Sequence, residues 1–411
     1  MKLYWCLAVS THETRFWENS YFHVLLMRFT AMKKHIGLFL VVVILVSIIT
    51  SALLLRYTSS TKENANSDTP EVYVGVDLAY ANLPAIENQI DQMSSYTNLI
   101  VIGSTGITYT SQLNNVCQYI CDKGLYFILY TENAPPLQWL QNAINKWGNH
   151  FLGLYAYDEP GGKQVDRYKD QMAVRQATNY TDAANQYNNL INLALGDIKR
   201  NYDNSTNVPL FSSDYALYWF DYKAGYDTIF AEFGWNYSRQ LNVALVRGAA
   251  TVQNKDWGVM ITWTYTSPPY IESGPQLLDD MKLAYDNGAK YIIVFDSNAN
   301  YTQGILQPEH LQAMQQFWQY VQANPRPSDP PSSRVAFVLP NDYAYGFRGP
   351  NDKIWGLWQA DNFTEQLCVN LNNVLQQYGS KLDIIYDDPT FPNYTSVYGT
   401  LIFWNGTVIG G

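Results

Sequence analysis

Carboxylate side chains recur in this sequence where short apolar or β-branched runs end. Six of them stand at or just after the ends of five such runs, and two are adjacent: Asp77, Asp158, Glu159, Asp214, Glu232 and Asp296. Carboxyl groups commonly act as general acids, general bases or nucleophiles in hydrolysis. If the apolar runs are parallel strands of one barrel, their carboxyl ends meet at one rim. The sequence therefore predicts a cluster of acids in one cleft.

Two of these acids are the strongest candidates for chemistry. Glu159 belongs to an acidic pair followed by Pro-Gly-Gly, which is not a packing arrangement, and Glu232 lies within an apolar run, where burial would raise its pKa. In glycoside hydrolysis one carboxyl group protonates the leaving oxygen, while the other attacks the anomeric carbon or activates water. The alternative is structural: a cap or an ion pair with Lys163, Arg167 or Arg247 for Glu159, and a buried salt bridge with Arg247 for Glu232.

Other side chains are candidates for supporting or substrate-binding roles. The charged ones would set pKa values and hold hydroxyl groups: Asp158, Asp77, Asp214, Asp296 and Arg247. The aromatic ones could stack on the apolar faces of sugars: Tyr157, Trp235, Trp263 and Tyr265. Packing in the core is the alternative for each ring.

The elements that would position these residues alternate between strand and helix patterns. Eight strand candidates span residues 72–78, 99–103, 125–130, 151–157, 209–213, 228–233, 258–264 and 291–295. Helix candidates between or after them include 113–122, 183–199, 239–252, 276–287 and 308–323. Such alternation implies parallel βαβ units, and eight units over 71–323 predict a (β/α)8 TIM barrel. An open doubly wound sheet is the alternative, but no Gly-rich turn follows the first strand candidate, as would be typical of it.

A second, smaller unit is predicted after the barrel. Residues 324–333 are rich in proline and predict an extended linker, and 334–411 predict a small α/β, Rossmann-like module. Its strand candidates are 335–339, 381–386 and 400–404, and its helix candidate is 364–378.

The segment before the barrel predicts export. Residues 36–55 are uncharged and long enough to cross a bilayer as a helix, and Lys33 and Lys34 precede them. We therefore expect a single-pass anchor in the cell membrane, with the body outside; a signal peptide cleaved to release a secreted protein is the alternative. Residues 56–70 predict a flexible stalk. Residues 1–35 form a leader without periodicity, and translation starting at Met32 is our hypothesis for it.

Composition and net charge limit the classes of partner and ligand that we expect for this protein. The formal net charge of −10 and the lack of a basic patch argue against nucleic acid. Seven glycosylation sequons suit an exported glycoprotein: Asn179, Asn204, Asn236, Asn300, Asn362, Asn393 and Asn405. Cys117 and Cys121 are four apart on one helix candidate, without a third ligand nearby, so no metal site is predicted. No cofactor is predicted either.

The acidic pair after the fourth strand candidate resembles the end of strand four in the retaining glycoside hydrolases of clan A. In that clan the strand ends with the acid/base Glu, usually preceded by Asn, and strand seven ends with the nucleophile Glu. The resemblance assigns Glu159 as the acid/base. Asp158 stands where Asn is usual, and the seventh strand candidate has no Glu in place, which leaves Glu232 as a substitute.

The C-terminal segment, with 335–340, 349–358 and 382–389, resembles the amidotransferase-like module that follows some β-galactosidase-type barrels. The two resemblances imply a glycoside hydrolase-like protein that acts on or binds a glycan. A catalytically inactive carbohydrate-binding protein and a structural cell-envelope protein are the alternatives.

Overall fold

A computed structural model describes residues 70–104, 111–133, 135–168, 171–200, 208–326, 328–349 and 351–410. Eight parallel strands close into a barrel in sequence order. They are β1 Tyr73–Leu78, β2 Leu99–Ile102, β3 Tyr126–Thr131, β4 Phe151–Ala156, β5 Leu210–Asp214, β6 Thr228–Phe233, β7 Asp256–Ile261 and β8 Tyr291–Asp296. The pairing of β1 with β8 closes the barrel, with Tyr73 opposite Tyr291. The predicted TIM barrel is confirmed.

Helices surround the barrel. They are α1 Leu83–Met93, α2 Ser111–Asp122, α3 Leu137–Trp147, α4 Pro160–Asp166, α5 Tyr180–Arg200, α6 Tyr218–Ala224, α7 Arg239–Gln253, α8 Gly274–Asp286 and α9 Pro308–Ala323. Local chemistry fixes several starts: the side chain of Asn82 accepts from the Ala85 N–H at the start of α1, and Ser238 does the same for Leu241 at the start of α7.

The barrel has two apolar layers, one inside the ring of strands and one outside it. The inner layer contains large rings, with Tyr73 stacked on Tyr291 at a centroid distance of 4.9 Å and Phe211 stacked on Phe230 at 5.7 Å. The outer layer lies between the strands and the helices. Because the rings fill the barrel interior, it is a packed core, and a ligand can enter only at an end.

The smaller C-terminal unit is a four-stranded sheet with its own helix. The strands are β9 Val335–Leu339, β10 Leu382–Tyr386, β11 Thr400–Phe403 and β12 Val408–Gly410, in the order β10-β9-β11-β12, and only β12 is antiparallel. Helix α10, Asn362–Tyr378, connects β9 to β10, and a short helix α11, Tyr394–Val397, precedes β11. At Gly248 of α7 the helix backbone approaches β10 so closely that an added Cβ would lie 2.3 Å from the Ile384 carbonyl oxygen.

Candidate functional site

A cavity of about 630 Å³ opens at the carboxyl ends of the barrel strands. It is lined by Asp77, Ala79, Ala81, Gly103, Ser104, Tyr130, Glu132, Tyr155, Asp158, Glu159, Ser213, Glu232, Trp235, Met260, Thr262, Trp263, Phe295 and Tyr301. The five acids come from the ends of β1, β3, β4 and β6 or from the residues that follow them. The barrel thus gathers at one rim side chains that lie far apart in the sequence.

Glu159 lies on a tight turn between β4 and α4. Its backbone is in the left-handed region with φ 53°, and its N–H donates to the Ser213 carbonyl oxygen at 3.0 Å. A left-handed conformation is costly for a residue with a Cβ and persists only where surrounding contacts hold it. The turn therefore directs the Glu159 side chain into the cavity at a cost in local strain.

The contacts that hold this turn come from β5. The carboxylate of Asp214 accepts hydrogen bonds from the N–H groups of Gly161 and Gly162 at 2.5 and 2.7 Å. It also accepts from Tyr215 and Ala216 at 2.8 and 3.1 Å. Both glycines are needed for this approach, because an added Cβ would lie 2.5 Å from the Ala216 carbonyl oxygen at Gly161 and 2.1 Å from the Tyr215 ring at Gly162. Asp214 positions the turn and does not line the cavity.

Glu232 is buried at the inner end of the cavity. The Ser213 hydroxyl donates to its carboxyl group at 2.7 Å. Glu159 and Glu232 line the same cavity, and each influences the pKa of the other. Their titration therefore belongs to the pair.

Burial is the main cause of the raised affinity of this pair for a proton. Burial and the nearby Asp158 raise the pKa of Glu159 to about 8, and the Lys163 ammonium offsets part of the rise. Burial, together with the charges of Glu159 and Asp158, raises the pKa of Glu232 well above its usual range. Lys163 is only a distant partner, with its Nζ 4.0 Å from the Glu159 carboxylate and 3.8 Å from that of Asp158.

Asp158 and Asp77 complete the acidic group. The Tyr155 hydroxyl donates to the Asp158 carboxylate, and the Ser213 hydroxyl lies 3.2 Å from it. Asp77 is buried, and no described group donates a hydrogen bond to its Oδ1. Burial, with the charges of Asp158 and Asp296, raises the pKa of Asp77 well above its usual range.

Of the residues singled out from the sequence, the cavity brings together Asp77, Asp158, Glu159, Glu232, Trp235 and Trp263. The Trp263 Nε1 donates to the Ser297 carbonyl oxygen at 2.9 Å, which fixes the indole at the cavity wall.

Several other candidates lie elsewhere. Asp296 accepts the N–H groups of Ile305 and Leu306 at 2.5 and 3.0 Å and holds the loop after β8. Tyr157 follows the end of β4 with a left-handed backbone and packs against the outer apolar layer, and Tyr265 is 47% exposed. Neither tyrosine lines the cavity.

Arg247 is a correction to the sequence analysis. It pairs with neither Glu159 nor Glu232, because its face of α7 is turned outward, toward the C-terminal sheet. Its Nε donates to Asp383 of β10 at 2.6 Å, and its other N–H groups reach Asn287 and two backbone carbonyl groups. Its role in the structure is to join the barrel to the small unit.

The cavity residues that were not among the sequence candidates include Tyr130, Glu132, Ser213 and Tyr301. Glu132 directly follows β3, so the strand-end rule that found the other acids applies to it as well. Ser213 is adjacent to Asp214 at the end of β5, but a lone serine carries no distinguishing sequence signal. Tyr301 lies in the loop after β8, and its place in the cavity depends on how that loop folds.

The mutual influence of Glu159 and Glu232 on their pKa values has a chemical consequence. The two groups act as one proton-holding unit. Asp158, hydrogen-bonded by a tyrosine and facing a serine, remains as a separate carboxylate beside it. No group of His, Cys, Asp and Glu side chains suited to a metal ion occurs among the described residues.

The predicted membrane segment 36–55 and the leader 1–35 lie outside the described residues, as does the predicted stalk up to residue 69. In the part of the chain that the structure covers, no helix combines the length and the apolar character needed to span a bilayer.

Comparison with known proteins finds only distant structural similarities, on which no argument rests. No family model matches the chain, and neither does any curated protein. Among solved structures, the glycoside hydrolase family 30 subfamily 8 xylanase of Clostridium acetobutylicum is 9% identical, with a TM-score of 0.38 over 60% of this chain and 71% of the xylanase. The GH99 endo-α-mannosidase of Bacteroides thetaiotaomicron is 11% identical, with a TM-score of 0.36 over 59% and 79% of the two chains. KGPDC from Streptococcus mutans is 10% identical, with a TM-score of 0.35 over 61% and 98%. These low values carry no inference about activity.

Proposed function

We propose that this protein hydrolyses glycosidic bonds of an extracytoplasmic glycan, with the proton shared by Glu159 and Glu232 as its general acid. The observation that carries the proposal is a pair of carboxyl groups with raised pKa values, Glu159 partly exposed and Glu232 buried, in an open, aromatic-lined cavity at the carboxyl ends of the barrel strands. With a pKa of about 8 for Glu159, the pair still holds a proton near neutral pH, as a general acid must.

Asp158 is the second carboxylate of the proposed mechanism. The Tyr155 hydroxyl donates to it, and the Lys163 Nζ lies 3.8 Å from it, so that its carboxyl group is held at the cavity wall, where a base or nucleophile would act. The shared proton passes to the leaving glycosidic oxygen, while Asp158 either takes a proton from the attacking water or attacks the anomeric carbon itself. This assignment revises the role of Glu232, which becomes the partner that holds the proton of Glu159.

Substrate stacking would come from the cavity walls. The rings of Trp235, Trp263 and Tyr301 line the opening, and aromatic faces of this kind fit the apolar faces of sugars. The hydrophobic run 36–55, with Lys33 and Lys34 before it, supports the outward placement of the barrel on a single-pass anchor, or its secretion after cleavage.

A second candidate function is carbohydrate binding without turnover. The observation that favours it is that Glu272, in the loop after β7, pairs with Arg239 at 3.1 Å and does not line the cavity, so that β7 supplies no nucleophile there. In that case the acids and rings hold a glycan at the cell envelope, and no bond is broken.

The test is the release of reducing ends from a panel of polysaccharides and oligosaccharides by the full-length protein. We expect Glu159→Gln to lower kcat at least about 100-fold, since general acid catalysis contributes about that much or more. Glu71→Gln is the matched control, because Glu71 is exposed before β1 and far from the cavity. Equal rates for Glu159→Gln and the unmodified protein would disprove the assignment, and binding of a glycan without any cleavage would favour the second function.

A further inference from the structure

We infer that the sugar taken by this cavity carries a free amino group, so that the ligand is a hexosamine glycan with ammonium groups. The inference rests on the proposed function for the carbohydrate nature of the ligand, and it specifies the class of sugar. It comes from the composition of the cavity lining, from one unsatisfied buried acid and from the arrangement of aromatic rings.

The strongly polar groups that line the cavity are all acids. The described lining contains five carboxyl groups and several hydroxyl groups, and it contains no Lys, Arg, His, Asn or Gln. Ionised carboxylates only accept hydrogen bonds, and several of them close together repel one another. Burial raises the pKa values of Asp77, Glu159 and Glu232 and so favours their neutral forms. A ligand that donates hydrogen bonds and brings positive charge would stabilise their charged forms.

Asp77 provides a specific partner for such a ligand. It is 2% exposed on the cavity wall, and its Oδ1 lies against Gly103 without any donor among the described residues. The charged groups nearest to it are Asp158 and Asp296, both of the same sign. A buried carboxyl group without a donor or a cation is costly, and an ammonium group supplies both, because it has three N–H donors and a positive charge.

The aromatic walls add a second attraction for a cation. Tyr130 and Tyr155 meet edge to face at a centroid distance of 5.3 Å, and Trp235, Trp263 and Tyr301 line the same cavity. A cation over the face of such a ring gains electrostatic energy from the ring quadrupole, and most from tryptophan. Rings and carboxylates together form the kind of site that binds ammonium groups.

A protein cation does not already fill this role. Lys163, on α4, approaches Asp158 and Glu159 only to 3.8 and 4.0 Å, and its Nζ donates to the backbone oxygen of Asp158 at 2.6 Å. It stands at the edge of the acidic group and does not line the cavity. No described cation lines the cavity, so an ammonium group of a ligand is what would stabilise these acids in their charged forms.

The experiment is calorimetric titration of the full-length protein at pH 6 with three tetrasaccharides of β-1,4-linked sugars: glucosamine, N-acetylglucosamine and glucose. We expect the glucosamine tetramer to bind at least about tenfold more tightly than the other two, which corresponds to about 1.4 kcal/mol. This preference should shrink as salt is added, since ionic attraction is screened.

Asp77→Asn is the test variant. Asp122→Asn is its matched control, because Asp122 is exposed on α2. Asp77→Asn should reduce the preference for glucosamine, and Asp122→Asn should leave it unchanged, with the melting temperature of each variant showing that it is folded. Should Asp77→Asn fail to fold, the salt dependence measured on the unmodified protein still decides the matter.

The outcomes separate this inference from the proposed function. Tight binding of the glucosamine tetramer without cleavage of any sugar supports the inference and contradicts hydrolysis. Cleavage that depends on Glu159, with equal affinity for charged and neutral tetramers, supports hydrolysis and overturns the inference. Failure of the glucosamine tetramer to bind also overturns it.

Discussion

Two groups of acidic side chains lie in different parts of this molecule and are satisfied in opposite ways. The mouth cluster, Asp77, Asp158, Glu159 and Glu232, lies at the carboxyl ends of the strands, and the described cation that approaches it is Lys163, 3.8 Å from Asp158 and 4.0 Å from Glu159. The module cluster joins α7 to the C-terminal sheet through Asp383, which accepts from Arg247 at 2.6 Å, from Arg334 at 2.5 Å and from the Tyr398 hydroxyl at 2.8 Å.

This difference between the two clusters indicates which one has a structural role and which one has a functional role. Around Asp383 nearly every donor and acceptor is matched, as a buried charge requires when its only role is to hold two parts together. At the mouth, burial instead raises the pKa values of Asp77, Glu159 and Glu232, so that protonation compensates it and leaves these acids ready to exchange a proton or to meet a ligand. Substitutions in the two clusters should therefore have opposite effects on stability and activity.

The largest effect on stability is expected in the module cluster. Arg247→Met leaves the buried Asp383 with one arginine fewer and should lower the free energy of unfolding by about 3–5 kcal/mol. Denaturant unfolding measures it. Lys290→Met is the control, because the pair of Lys290 with Asp256 is about half exposed, and its loss should cost at most about 1 kcal/mol. Equal effects of the two substitutions would contradict the structural role of the cluster.

A smaller effect on stability, with a larger one on catalysis, is expected at Asp214. Asp214→Asn weakens the hold on the N–H groups of Gly161 and Gly162 and should lower the free energy of unfolding by about 1–3 kcal/mol. Because those N–H groups fix the turn that carries Glu159, we expect kcat to fall while KM changes little.

Steady-state kinetics on the substrate found in the polysaccharide screen measure this split. Asp227→Asn is the control, since Asp227 accepts the Leu210 N–H at 3.0 Å away from the cavity. If Asp214→Asn left kcat unchanged, Asp214 would not be the residue that positions Glu159.

Much of the barrel could be predicted from the sequence because buried parallel strands form short apolar runs. The predicted range 228–233 coincides with β6, whereas the range 258–264 was displaced from β7, Asp256–Ile261. The β-branched Thr262 and Thr264 continue the strand pattern beyond the point where pairing ends. Strand β12 was missed, because three residues next to a Gly-rich end give no periodic signal.

The site was predictable where a residue follows a strand end, as Glu159 and Glu232 do. It was not predictable where side-chain direction depends on distant contacts. The Tyr157 side chain lies outside the cavity because its backbone is in the left-handed region directly after β4. Arg247 contacts the C-terminal sheet, and the packing of that sheet on α7 leaves no pattern in the local sequence. The mutual influence of Glu159 and Glu232 on their pKa values likewise depends on the relative positions of β4 and β6.

The central claim, that the mouth cluster is compensated by protonation, is tested most directly by stability as a function of pH. Burial raises the pKa of Glu159 from 4.5 to about 8, and that of Glu232 is raised too. Between these values the folded protein keeps a proton that the unfolded chain has lost. The stabilisation is therefore full below pH 4.5 and is lost as the pH rises toward 8, by up to about 1.4 kcal/mol per pH unit for each proton.

The measurement is the free energy of unfolding of the unmodified protein and of Glu232→Gln at intervals from pH 5 to pH 9. We expect the unmodified protein to lose more stability over this range, so that Glu232→Gln is the more stable of the two at the alkaline end. Parallel curves for the two proteins would show that the mouth cluster holds no extra proton and would contradict the account.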